Sequence, residues 1–141
     1  MKKTIGLFLV ILLICSSVSA FSASRVPSKT AVEMLHFFVT TVSDDKAGIF
    51  CDASYHENSD TFLIYIFGRG VNENSITKSG NWEALKEKIT AMADDTAQFL
   101  PIFGYENSHF SFSLRDDAHR DEANLLFTIL DGEITLDVFA K

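Results

Sequence analysis

Asp131-Gly132 stands between two apolar runs, Asn124 to Leu130 and Glu133 to Phe139. A two-residue primed turn needs positive φ at both central positions, so this dipeptide predicts a β-hairpin and fixes its register. With Leu130 opposite Glu133, Ile129 meets Ile134, Phe127 meets Leu136 and Leu125 meets Val138, and these apolar side chains share one face. The same parity sets Leu114 opposite Leu125 and Phe112 opposite Phe127 in a third strand, Ser108 to Arg115. There Phe110, Phe112 and Leu114 alternate with Ser111 and Ser113 at the period of two expected of a strand. Residues 116 to 123 then form a charged loop.

Upstream, Phe62 to Phe67 is a continuous apolar, β-favouring run, too short for a helix of ordinary length, and its pattern predicts a strand over Thr61 to Phe67 covered on both faces. Gly68-Arg69-Gly70 ends it, and Asn72 to Gly80 reads as polar turn. Two helices are predicted. One starts at Thr30, where Thr30-Ala31-Val32-Glu33 has the form of a capping box, and carries Val32, Leu35, Val39 and Val42 in a stripe that Phe38 widens. The other starts at Asn81, a good N-cap, and runs to about Leu100 ahead of Pro101, with Trp82, Leu85, Ile89, Met92 and Phe99 on its buried side. Ile49 to Tyr55 reads as a weak strand, with a helical turn over Lys46 to Cys51 as the alternative.

The element order is thus α-β-β-α-β-β-β. It predicts an α+β fold, a mainly antiparallel sheet of about five strands with two helices packed on it. On element order the chain resembles the cystatin-like superfold, a curved sheet wrapped around a helix; the resemblance implies a fold and no activity.

The first 20 residues have the pattern of a secretory signal, with Lys2 and Lys3 ahead of the apolar stretch Ile5 to Ile14 and the small-residue site Val18-Ser19-Ala20. The apolar stretch is about half the ~20 residues needed to span a bilayer, so no transmembrane segment is expected in the mature chain. Residues 21–29 read as a short polar tether and 30–141 as a single domain. The whole chain has 12 basic and 19 acidic residues; without Lys2 and Lys3 the balance is 10 against 19, a formal −9. Such acidity repels phosphate backbones and anionic lipid, which excludes nucleic acid as a partner and a polybasic membrane contact. Cys15 lies in the signal, where Leu12, Leu13 and Ile14 before it disfavour a lipid anchor. Cys51 alone remains, leaving no intramolecular disulfide in the mature chain and favouring a buried thiol.

No residue set is assigned a catalytic role. Cys51 and His56 differ by an odd number and so face opposite ways in a strand. Asp116-Asp117-Ala118-His119-Arg120-Asp121-Glu122 offers oxygen and imidazole donors but lacks the spacing and glycine of a calcium loop or any paired-histidine zinc motif, and reads as a solvated loop. His36 and Trp82 read as packing residues. Neither a metal nor a cofactor is expected.

The informative feature is the second face of the sheet. By parity it carries Leu63, Tyr65, Phe67, Leu126, Leu130 and Phe139 mixed with His109, Ser111, Ser113, Thr128, Thr135 and Asp137, too apolar for a wet face and too polar for a core. Three readings are open: the Thr30 helix covers it, a partner or second subunit docks there, or it lines a ligand cleft. The expectation is an exported, non-enzymatic module of the bacterial-type cell envelope or extracellular space. It would bind a protein, peptide or envelope component through Tyr65, Phe67, His109, Ser111, Ser113, Thr128 and Asp137. The alternative is a small-ligand carrier or hydrolase using a cleft on that face, and a structural homodimer is a third reading.

Overall fold

A computed structural model describes residues 25–42, 49–119 and 124–140. The signal segment, residues 21–24 of the tether, and Arg120, Asp121 and Glu122 of the charged loop lie outside the described residues. In chain order the elements are α1 (Ser28–Val42), β1 (Ile49–His56), β2 (Thr61–Gly68), α2 (Glu73–Ser79), α3 (Trp82–Ala97), the single turn α4 (Phe99–Ile102), β3 (His109–Arg115), β4 (Leu125–Leu130) and β5 (Glu133–Asp137). The class is α+β: among the described residues, a five-stranded sheet in the order β1-β2-β3-β4-β5 with three helices longer than one turn.

Three of the four strand pairings are antiparallel, but β2 and β3 run parallel, so the sheet is mixed. Parallel neighbours need a long crossover, and residues 72–108, with α2, α3 and α4, supply it. The all-antiparallel, two-helix arrangement that the element order suggested, and with it the cystatin-like likeness, is not confirmed by this pairing.

The third helix comes from the stretch read as turn. Asn72 caps α2: its side chain accepts from the Ser75 N–H at 2.9 Å, while the Ser75 hydroxyl accepts from the Asn72 N–H at 3.0 Å. Gly80, at φ +64°, closes the helix in the left-handed conformation that glycine adopts without a Cβ penalty. Ile76 alone is buried in α2, too little for periodicity to reveal it. The capping box predicted at Thr30 does not form, because α1 begins two residues earlier with the Pro27 carbonyl accepting from the Ala31 N–H. Asn81 precedes α3 without a side-chain cap bond.

The core lies on one face of the sheet. Phe62, Ile64 and Ile66 of β2, Phe110, Phe112 and Leu114 of β3, and Phe127 and Ile129 of β4 are buried there. Ala31, Leu35 and Val39 of α1, Ile76 of α2, and Trp82, Ile89 and Ala93 of α3 belong to the same cluster. In α1 the fully buried stripe is therefore Ala31, Leu35 and Val39, while Val32 and Phe38 are partly buried; the Val42 side chain lies outside the described residues. Burial in β2 alternates strictly, so Leu63, Tyr65 and Phe67 are only half-buried and the expected double coverage of this strand is not found. The Thr30 helix packs on the core face and not on the mixed one.

The hairpin turn forms as predicted, with Asp131 at φ +50° and Gly132 at φ +85°. Leu130 pairs with Glu133 and Ile129 with Ile134. A bulge then inserts Thr135, so Thr128 meets Leu136 and Phe127 meets Asp137 in place of Leu136. Between β3 and β4 the register is two residues away from the predicted one, Leu114 on Phe127 and Phe112 on Ile129, which keeps these four on the core face. The register then shifts at Arg115, which pairs with Leu125, and the extra residue Leu126, expected on the mixed face, is buried in the core instead.

Candidate functional site

The face opposite the helices is built in rows by the strand register. One row runs Ser54, Leu63, Ser111, Leu130; the next runs Asp52, Tyr65, Ser113, Thr128, Leu136; the last begins Phe50, Phe67. Since Ile66 pairs with Leu114, Arg115 lies alongside Phe67. Leu63, Tyr65, Phe67, Leu130 and Leu136 are all outside the core cluster, and Phe50 and Leu130 each keep 40% of their surface exposed.

Five of the seven predicted site residues are brought together here. The Ser113 and Thr128 hydroxyls hydrogen-bond at 3.0 Å, which lets Ser113 be buried without an unmet polar group. Tyr65 occupies the same row, Ser111 the neighbouring one, and Phe67 stacks on Phe50 with ring centroids 5.4 Å apart. His109 opens β3 at the end of the face, where its Nδ1 lies 2.7 Å from Asp131 Oδ2. Asp131 also accepts from the Phe110 N–H at 2.8 Å. Burial raises the Asp131 pKa, but the Phe110 N–H and His109 outweigh it and hold the carboxyl below its ordinary value.

Asp137 is not on this face. The Thr135 bulge turns it to the helical side, where it accepts from Lys86 Nζ at 3.1 Å, from Trp82 Nε1 at 3.3 Å and from the Phe139 N–H at 3.0 Å. Desolvation pushes this carboxyl up, but Lys86 and the two N–H donors leave it below the ordinary range. Phe139 follows it and packs on Trp82, ring centroids 4.7 Å apart. A cleft joining Asp137 to His109 and Ser111 is thus not what the chain forms. Open depressions lie on the helical side instead; one of about 630 Å³ is lined by Trp82, Lys86 and Phe139 among others.

Two groups were not singled out from sequence. Arg115 reaches back across β2 to lie over the Tyr65 ring, 4.0 Å from its centroid, and its Nη1 is 3.6 Å from Asp52 Oδ2. Arg115 continues the alternate series of Ser111 and Ser113 along β3. The second group is a clasp at the end of the sheet. Arg25 grips Asp60 through both oxygens at 2.8 and 3.2 Å, and Tyr55 and Ser108 donate to the same carboxylate at 2.5 and 2.8 Å. Arg25, then Tyr55 and Ser108, hold the Asp60 pKa at about 2. Beside it the Val26 N–H bonds Phe103 O and its carbonyl accepts from the Tyr105 hydroxyl, so residues 25 and 26 are fastened to the domain.

Cys51 is buried on the core side, and desolvation followed by the Asp52 charge pushes its thiol up to about 12. His56 is exposed at the other end of β1, so this thiol and this imidazole do not meet. Asp116 and Asp117 accept from backbone N–H groups of Glu73, Ala118 and Gly70. Among the described residues no three His, Cys, Asp or Glu side chains are grouped to hold a metal ion, and no helix is long and apolar enough to cross a membrane. His36, read as a packing residue, is exposed on α1, whereas Trp82 does pack, on Phe127 and Phe139. No family model, curated protein or solved structure matches this chain.

Proposed function

We propose that the protein is an exported, non-enzymatic binding module whose sheet face opposite the described helices docks a polypeptide partner. The observation that carries the reading is the segregation of packing. Among the described residues every helix longer than a turn sends its buried side chains to one face, while the other presents Phe50, Phe67, Leu130 and Leu136 around a hydroxyl-bearing centre. Shape favours a polypeptide over a small molecule. The face is sheet surface continuous with the edge strand β5, whose Leu136 stands exposed on it, so a partner can meet apolar side chains and the backbone of an edge strand together.

The experiment is photocrosslinking in cells that export the protein, with a benzophenone amino acid placed at position 50 or 130. Position 87, exposed on α3, serves as control. Polypeptide adducts from positions 50 and 130 and none from 87 are expected. No adduct from the sheet face, or the same adducts from all three positions, overturns the reading.

A further inference from the structure

We infer that Arg115 is the anchor for a carboxylate carried on an apolar group, presented by the partner that docks on the open sheet face. The inference rests on the polypeptide-binding reading and adds the chemistry of its ligand.

The Arg115 guanidinium is held in place without being satisfied. It lies over the Tyr65 ring at 4.0 Å, which fixes its plane and covers one side of it. Among the described residues the one carboxylate within 4 Å of it is that of Asp52, 3.6 Å away, beyond hydrogen-bond distance and itself 65% exposed, while Asp116 and Asp117 accept from backbone N–H groups. Nε is buried and has no hydrogen-bond partner among the described residues. A guanidinium carries five in-plane donors matched to the two oxygens of a carboxylate or phosphate, and here none is used in a hydrogen bond among the described residues. The side chain keeps 24% of its surface open, so an incoming anion can reach it.

The surroundings select among anions. The Phe50 and Phe67 pair lies beside Arg115 in the same face and offers an apolar seat. The acidic chain, at −7 overall with Asp52 adjacent, disfavours a dianion. A monoanion with an apolar body fits both conditions: the C-terminal carboxylate of a chain ending in an apolar residue, or an Asp or Glu side chain beside one. Asp52 then acts as an internal competitor that the ligand displaces.

The test is an NMR titration of the protein purified from exporting cells, reading the Arg115 Nε–H and Tyr65 ring signals. The probes are 3-phenylpropionate, its neutral amide and inorganic phosphate. 3-Phenylpropionate is expected to shift both signals and the other two to leave them in place. Arg115→Gln should abolish the response of the Tyr65 ring. Asp52→Asn, at an exposed site that does not threaten folding, should tighten binding about two- to five-fold, the range an exposed ion pair is worth. Equal shifts with the amide or phosphate, a Tyr65 response retained in Arg115→Gln, or binding in Asp52→Asn that is no tighter than in the parent would each overturn the assignment. A peptide with a free C-terminal phenylalanine against a doubly blocked peptide with an internal Glu-Phe identifies the source of the carboxylate. Crosslinks from positions 50 and 130 with a silent Arg115 would sink the carboxylate and leave the polypeptide-binding reading standing; a responsive Arg115 without crosslinks would do the reverse.

Discussion

Ile129 and Leu130 are neighbours in β4, differ little in apolar surface, and point to opposite faces, so truncating each to alanine measures how differently the two faces are covered. Ile129 is 2% exposed inside the core and Leu130 is 40% exposed on the open face. Ile129→Ala removes buried carbons and leaves a cavity, for about 2 to 5 kcal/mol. Leu130→Ala loses only part of the roughly 1.5 to 3 kcal/mol of a fully buried leucine and leaves no cavity, since water fills the space, so about 1 kcal/mol is expected. With a urea m-value of roughly 2 kcal/mol/M, an Ile129 loss of roughly 3 kcal/mol moves the midpoint down by about 1.5 M and the Leu130 loss by about 0.5 M. Equilibrium urea unfolding followed by circular dichroism at two protein concentrations reads both shifts. Equal losses at the two positions would mean that something covers the open face, and a midpoint rising with protein concentration would identify the cover as a second copy. Either result refutes the exposed-face argument.

Two further predictions follow from groups with displaced pKa values. The Asp60 pKa is lowered from 3.8 to about 2, so the clasp it forms with Arg25 contributes fully above about pH 4 and is lost as the pH falls towards 2. The gap in melting temperature between the parent and Asp60→Asn should therefore shrink over that window, and a gap that stays constant or widens would show that the charge on Asp60 is not what matters. At Cys51, with its pKa raised to about 12 by burial, iodoacetamide at pH 8 should react on the order of a thousandfold more slowly than with the same chain in urea. Mass spectrometry follows the reaction, and native labelling within about tenfold of the unfolded rate would contradict the burial.

What the sequence made legible was local. Asp131-Gly132 sets its turn through the backbone preferences of the two residues themselves, and the pairs next to it, Leu130 with Glu133 and Ile129 with Ile134, follow. Two residues further on, legibility ends at Thr135. Ile134, Thr135 and Leu136 are all good strand formers, so nothing in their side chains says that Thr135 is bulged, yet that extra residue carries Asp137 to the other face. The β2 to β3 pairing was hidden for a different reason: strand patterns show which side chains are buried and not which strand lies next to which, or in what direction. The missed α2 is an example of cap chemistry outweighing periodicity, because Asn72 and Ser75 start a helix with only Ile76 to bury. At the site, period-two alternation correctly gathered Tyr65, Phe67, Ser111, Ser113 and Thr128. It passed over Arg115, whose partners Tyr65 and Asp52 are far away in sequence, and the Arg25 to Asp60 clasp, which only the folded chain brings together.

The outer edge of β5 poses the same question of what keeps an open surface soluble. Edge strands are usually guarded by lysine, proline or a covering loop, and Glu133 to Phe139 contains neither lysine nor proline while Ile134 is 51% exposed. A bulge at Thr135 twists the strand, but the remaining protection is electrostatic: Asp131 and Glu133 sit at this edge of a chain carrying −7, so two copies approaching edge to edge repel one another. That repulsion is screened when the Debye length falls from about 10 Å at 0.1 M salt to about 3 Å at 1 M. Self-association should therefore rise with salt, opposite to what ion pairing would give, and sedimentation velocity at the two salt concentrations measures it. Ile134→Lys places a guarding charge on the edge at an exposed position, where stability should change by no more than about 0.5 kcal/mol, and it should hold the chain monomeric at both salt concentrations. A parent chain that stays monomeric at 1 M salt, or that associates only at low salt, would show that charge is not what guards the edge. An Ile134→Lys chain that associates like the parent would place the contact elsewhere on the molecule.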